Sequence, residues 1–266
     1  MAKLTCLSEV GIFTRDLKLS QAFYTRKIGL AVRSSMPKIE YLQLGATKGG
    51  KDAGLDLWHP VPSWGEPTYQ DGLKSIGTVA GLAFTTGNLP KTVENLGGKG
   101  VKVETQYEGF ARFWDPDGNT LFVTEQERPK VRRAGLQKLD WVTVVTRDEA
   151  KSGEFFRTLG MKRGRVRGRD GETYTQYKLS PEGTAVLPFR PTREMYDEPS
   201  DYDADMAHIG ENTSIGFEVD DVEAVQEKLL SKGITVKERV TKQSWGGTTI
   251  RVLDPDGNEY LLYKMD

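Results

Sequence analysis

Few side chains in this sequence could do chemistry unaided. The 266 residues include two histidines, His59 and His208, and one cysteine, Cys6. A divalent ion needs three or more converging nitrogen, oxygen or sulfur donors, and imidazole is the commonest neutral one. Two histidines confine any metal or proton-shuttle scheme to sites built mainly from carboxylates. Cys6 has no partner for an internal disulfide and fits a reducing compartment. It lies in a strand-like start with no histidine near it in sequence, and reads as a small apolar residue rather than a nucleophile.

Carboxylates gather in three places. Asp115-Pro116-Asp117-Gly118-Asn119 recurs as Asp254-Pro255-Asp256-Gly257-Asn258. Proline presets φ for the first central position of a turn, and glycine accepts the left-handed conformation just after it. Strand-like runs flank both copies, so the aspartates read as hairpin-shaping residues and not as an acid pair. The third place is 191–210, with Asp197, Glu198, Asp201, Asp203, Asp205 and His208. It reads as a long solvated flap in preference to a cation loop. Arg112 and Arg251 each stand three residues before a turn aspartate, an offset that reflects duplication better than an anion clamp. Gly97-Gly98-Lys99-Gly100 follows a helix instead of opening one, so it is no phosphate loop, and no Gly-x-Ser-x-Gly pattern occurs.

The elements that position these residues repeat four times. From Leu7 to Thr14, Val10, Ile12 and Thr14 alternate with Glu9, Gly11 and Phe13. Asp16 caps a helix whose inward residues are Leu19 and Phe23, and Gly29 ends it. Strands are expected at 31–35, 40–46 and 54–58. The stretch 60–75 reads as a connection. The same β-α-β-β-β order returns from Val79 to Glu125, again after Leu136, and again after Asn212. Asp148, Ser152, Phe155 and Phe156 repeat the offsets of Asp16, Ser20, Phe23 and Tyr24. Asp220 or Asp221 caps the last helix. The fold class is α+β, with four such modules in two tandem domains. An N-terminal domain at 1–127 holds modules at about 4–60 and 76–127. A charged, proline-containing linker follows at 128–134. A C-terminal domain at 135–266 holds modules at about 135–190 and 208–266. This linker favours pairing of modules within each half.

Net charge is −1, hydrophobic residues make up 37% and charged residues 28%. Such a chain can bury two cores, and its charge gives no case for nucleic acid or an anionic membrane. No apolar run is long enough to cross a bilayer, and the start lacks a signal-peptide core. A cytoplasmic protein with a small-molecule ligand, and a homodimer as one form of assembly, is the expectation.

The order of elements, the Asp16 to Tyr24 and Asp148 to Phe156 runs, and the two Asp-Pro-Asp-Gly-Asn turns together resemble the vicinal oxygen chelate superfamily. That group includes glyoxalase I, extradiol dioxygenases, and the bleomycin- and fosfomycin-resistance proteins. The resemblance covers nearly the whole chain. It implies that paired modules form open, cup-shaped sheets around a ligand, with metal donors at four matching strand positions. In a first cup these positions hold Glu9, Asp56, Gly81 and Phe122. In a second they hold Trp141, Val186, Ser214 and Leu261. Neither set is the His, Glu or Gln constellation that the resemblance leads one to look for.

Glu9 and Asp56, with His59 near the same strand end, are the candidates for an Fe, Mn, Ni or Zn site or a general base. The second cup would be aromatic, lined by Trp141, Ser214, Glu218, Leu261 and Tyr263, with Gln176, Trp245 and Arg251 around it. The expectation is therefore a protein with degenerate metal sites and no required cofactor. It binds a small apolar or aromatic molecule for sequestration or metal-independent chemistry. The alternative is a metal-dependent lyase, isomerase or ring-cleaving dioxygenase at Glu9 and Asp56. Filled cups in a purely structural protein are a third reading.

Overall fold

The computed structural model describes residues 2–78, 80–126, 132–167, 172–196, 198–207, 209, 214–243 and 245–266. His208, Asp197 and most of the linker lie outside them. The first module comprises β1 (Leu4–Phe13), α1 (Leu17–Ala22, continued by a π-helical turn over Phe23–Ile28), β2 (Ala31–Met36), β3 (Tyr41–Gly45) and β4 (Gly54–Trp58). After α2 (Thr68–Lys74) comes the second: β5 (Ala80–Thr86), α3 (Leu89–Gly98), β6 (Val103–Tyr107), β7 (Phe110–Trp114) and β8 (Thr120–Glu125). The third has β9 (Lys138–Val145), α4 (Glu149–Thr158), β10 (Lys162–Arg167), β11 (Thr173–Lys178) and β12 (Ala185–Phe189). After α5 (Pro199–Ala207) the fourth has β13 (Ser214–Val219), α6 (Val222–Ser231), β14 (Thr235–Lys242), β15 (Gly247–Leu253) and β16 (Glu259–Met265). Among the described residues no helix is long and apolar enough to cross a membrane.

Side-chain caps start the module helices. Asp16 accepts from the Leu19 amide at 2.9 Å, Asn88 from Lys91 at 3.0 Å, Asp148 from Ala150 and Lys151, and Asp221 from Ala224 at 2.9 Å. Each such cap stabilises its helix by about 1 kcal/mol. Asp220 instead accepts from the Lys3 amide at 2.8 Å. Leu19, expected inside, is 57% exposed. The inward place is taken by Ser20, whose hydroxyl bonds that of Thr14, so polar pairing outweighs the leucine. Thr86 with Thr92 and Thr146 with Ser152 repeat this hydroxyl pair.

Three expectations need correction. The stretch 60–75 is not a bare connection, because it holds a 3₁₀ turn at Pro62–Trp64 and the helix α2. The acidic flap likewise contains a 3₁₀ turn at Arg193–Met195 and the helix α5. The sheets, finally, are not built within halves. One runs β14-β15-β16-β13-β1-β4-β3-β2 and the other β10-β11-β12-β9-β5-β8-β7-β6, so modules one and four share a sheet, as do two and three. The first strands of modules are edge strands until they pair, and β5 pairs antiparallel with β9 through Leu82↔Val142 and Ala83↔Trp141.

Compactness divides the chain differently. One unit takes in Met1–Glu9, Thr143–Val166 and Thr173–Asp266; the other takes in Val10–Val142 and Arg167–Glu172. For brevity these are the C-terminal and N-terminal units. In each, the Asp-Pro-Asp-Gly-Asn turn serves as a latch as well as a turn. Gly118 and Gly257 take φ of 99° and 91°, as such a turn requires. In the N-terminal unit, Asp115 Oδ1 accepts from the Asp117 and Asn119 amides, both at 2.9 Å. Its Oδ2 accepts from Asn119 Nδ2 and, across to the first module, from the Tyr24 hydroxyl, both at 2.8 Å. Asp117 accepts from the Thr14 hydroxyl at 2.6 Å. In the C-terminal unit, Asp254 repeats these bonds with Asp256, Asn258 and the Tyr260 hydroxyl, and Asp256 receives the Thr146 hydroxyl.

Candidate functional site

In the C-terminal unit, Ser214, Gly216 and Glu218 alternate on β13 with the buried Ile215, Phe217 and Val219. The parallel register sets Leu261 beside Gly216 and Tyr263 beside Glu218. Glu9 arrives from β1. A Cβ at position 216 would stand 2.4 Å from Glu9 Cγ, so glycine is what lets Glu9 lie across β13. The Tyr263 hydroxyl donates to Glu9 Oε2 at 3.4 Å. Gly247 does the same for Trp245: a Cβ there would meet the indole at 2.0 Å. Trp245 then meets Tyr263 edge to face, with centroids 6.2 Å apart and planes at 84°. A row of Trp245, Tyr263 and Glu9 results.

Two other expected residues of this unit are otherwise engaged. Arg251 pairs with Glu238 at 3.0 Å and with Glu259 at 2.5 Å. Burial pushes the Glu259 carboxyl up, but Lys237 and Arg251 outweigh it and hold the group below the usual range. Gln176 packs its side chain over Gly164 of β10. Cys6, half-buried, donates its thiol to Glu218 at 3.6 Å. Burial and the Glu218 charge push that thiol up, so little thiolate forms near neutral pH. Alkylation of Cys6 by iodoacetamide at pH 8 is expected to run several-fold slower than that of an unfolded-chain thiol, and Glu218→Gln should speed it.

The N-terminal unit carries two clusters. In the first, Asp56 of β4 is fully buried and accepts from the Tyr41 hydroxyl at 3.0 Å. Tyr41 packs on Trp58 at 4.5 Å, and Trp64 covers both Trp58 and Phe13 at 6.0 and 6.3 Å. His59 donates Nδ1–H to the Thr14 carbonyl at 3.0 Å. In the second cluster, Phe122 of β8 stacks on Phe110 of β7 at 5.0 Å and 27°, and on Trp141 of β9 at 6.0 Å and 28°. All three rings are half-buried. Arg112, directly opposite Phe122, is held by Glu104 at 2.8 Å and lies over the Trp114 ring at 5.1 Å.

Trp141 thus stands with Phe122 and not with Leu261 and Tyr263, which share the other unit with Glu9. The crossed pairing of first strands explains this redistribution. Phe110 and Trp64 were missed. Phe110 could have been found by counting the hairpin register from the turn, whereas Trp64 sits in a stretch with no periodicity. A cavity of about 330 Å³ at Lys3, Leu159 and Lys228 contains none of the expected residues.

The donors among the described residues do not make a divalent-metal site. Among the described residues no three His, Cys, Asp or Glu side chains converge. At the family's ligand positions the C-terminal unit offers one carboxylate, Glu9, beside Ser214 and Leu261. The N-terminal unit contains Asp56, on the sheet of modules one and four, and Gly81, Phe122 and Trp141, on the sheet of modules two and three.

The sequence matches one family over residues 7–123 and 138–261. Glyoxalase I from Zea mays is similar in fold at 17% identity, with a TM-score of 0.68 over 99% of this chain and 92% of that one. TnmS3, an antibiotic binding protein from a Streptomyces species, is 23% identical with a TM-score of 0.37, over 47% of this chain and 98% of its own. A superfamily member from Sphaerobacter thermophilus is 21% identical with a TM-score of 0.38, over 47% and 94%. No curated protein matches the sequence. By the extent of the family match, the chain belongs to the Glyoxalase/Bleomycin resistance protein/Dioxygenase superfamily.

Proposed function

We propose that the protein binds a small planar, apolar or aromatic molecule on the sheet face carrying Phe110, Phe122 and Trp141, without a metal. The observation that carries this reading is the ladder of three half-buried rings, two of which, Phe122 and Trp141, stand at positions where the resemblance implies metal donors. A flat ligand extends such a ladder, gaining apolar burial plus about 0.5–1.5 kcal/mol of stacking for each ring met. At the rim, Glu104 pairs with both Arg112 and Lys102. A metal-dependent lyase, isomerase or dioxygenase at Glu9 and Asp56 would need a third donor. Among the described residues no His, Cys, Asp or Glu side chain joins them in a converging set of three. Sequestration or metal-independent chemistry on the bound molecule is what this geometry serves.

Fluorescence titration with 2-naphthol tests the reading. Trp141→Ala and Phe122→Ala are each expected to weaken binding about tenfold, while Trp245→Ala leaves it unchanged. Equal affinity in the Trp141→Ala protein would overturn the assignment.

A further inference from the structure

The cavity of about 330 Å³ lies wholly within the C-terminal unit. Its apolar wall is made by Leu4 of β1, Leu159 just after α4 and Leu179 just after β11. Its polar members are Lys3, Thr5 and Lys228. Ligand pockets span about 300–1,000 Å³, so this one suits a small molecule. Gly160, also on its lining, takes φ of 97°, and a Cβ there would meet nothing within 4 Å. The turn after α4 therefore leaves this space open.

The polar members are not equivalent. Thr5 donates its hydroxyl to the Glu218 carbonyl at 3.1 Å, so that donor is committed. Lys228 of α6 is half-buried, and its Nζ donates to the Ala2 carbonyl at 3.4 Å. This contact holds the ammonium beside the peptide bond that joins Ala2 to Lys3. Lys3 is itself fixed through its backbone, its amide donating to Asp220 at 2.8 Å and its carbonyl accepting from the Asp220 amide at 3.2 Å. The acids bonded to this stretch are thus turned elsewhere: Asp220 accepts from that amide and Glu218 from the Cys6 thiol. An ammonium has three donors, and the Ala2 carbonyl takes one of those on Lys228.

We infer that this cavity binds a small aliphatic carboxylate, with its alkyl body against the leucines and its head beside Lys3 and Lys228. Each methylene withdrawn from water against Leu4, Leu159 and Leu179 favours binding. Charge-assisted hydrogen bonds from the ammonium groups favour an ionised head over a neutral one. Inorganic phosphate satisfies the lysines but buries no apolar surface. None of the lining residues is aromatic, so a flat ring gains no stacking here. The ligand class differs from the planar molecule assigned to the N-terminal unit, and the two assignments stand on different residues.

Hexanoate, hexan-1-ol and inorganic phosphate make the test, read on the backbone amide signals of the intact ¹⁵N-labelled protein. Hexanoate is expected to move the Thr5 and Gly160 signals saturably. Hexan-1-ol and phosphate should each bind at least about fivefold more weakly. Lys3→Gln together with Lys228→Gln should weaken hexanoate binding about tenfold or more. The inference is overturned by the lack of a saturable shift, by equal binding of the alcohol or of phosphate, or by hexanoate binding that survives the double substitution. The ligand comparison uses the wild type alone, so it decides the matter even where the double variant folds poorly. Loss of 2-naphthol binding in Trp141→Ala bears only on the other site, so failure of one assignment is separable from failure of the other.

Discussion

Tyr24→Phe is expected to destabilise the N-terminal unit by about 1–3 kcal/mol, and adding Leu121→Tyr to restore at least half of that loss. The argument comes from the duplication. Asp115 and Asp254 are buried carboxylates at matching turn positions, and each receives a phenol hydroxyl on Oδ2. The phenols come from different places. Tyr24 reaches Asp115 from the first helical segment, whereas Tyr260 reaches Asp254 from the strand after the turn itself. At the corresponding positions the other copy has no hydroxyl: Phe156 matches Tyr24, and Leu121 matches Tyr260. One copy therefore uses Phe23, Tyr24 and Leu121 where the other uses Phe155, Phe156 and Tyr260, all of them buried. Tyr24→Phe with Leu121→Tyr rewrites the first trio as the second. Removing a hydroxyl from a buried carboxylate costs the desolvation of the group left behind, and the second substitution returns a donor. Denaturant unfolding of the wild type, the single variant and the double variant measures both steps. A double variant no more stable than Tyr24→Phe alone would show that the two copies do not share this design.

Alkali should destabilise the fold steeply, and the same two tyrosines are the reason. Burial, followed by the adjoining aspartate charge, pushes Tyr24 and Tyr260 well above the normal phenol value of 10.0. A raised value contributes stability in full below the unfolded value. That contribution is lost as pH climbs from there towards the folded value. Each phenol then removes about 1.4 kcal/mol per pH unit above pH 10. Against a total of roughly 5–15 kcal/mol, two such groups dominate the alkaline limb. The carboxyls of Asp115 and Asp254 are also raised, chiefly by burial. Their contribution is greatest in acid and declines as pH rises through their folded values, so they do not drive acid unfolding. Glu259, held low by Lys237 and Arg251, acts in the opposite sense and loses its contribution as pH falls. Unfolding midpoints at pH 8, 10 and 11 should fall more steeply for the wild type than for Tyr24→Phe/Tyr260→Phe. Parallel curves would contradict the assignment.

Much of this fold was legible because its signals are local. The duplicated turn, the capping aspartates at 16 and 148, and the alternation along β1 each rest on backbone chemistry within a few residues. Leu19 misled because helix phase was judged by hydrophobicity alone, whereas the Thr14–Ser20 hydroxyl pair sets which side faces inward. The partnership of Trp141 with Phe122 was not legible. Which first strand lies beside which is a long-range pairing, and the charged linker gave no information on it. Gly216 and Gly247 were equally silent. Their role appears only when Glu9 and Trp245 are seen lying across them.

Calorimetric titration of the chelator-treated protein with 2-naphthol addresses the functional account most directly. Metal-free binding on the aromatic face predicts the same stoichiometry and heat before and after chelation, with both lost in Trp141→Ala. Binding that vanishes with chelation, returns with Mn, Fe, Ni or Zn, and is abolished by Glu9→Ala would contradict it.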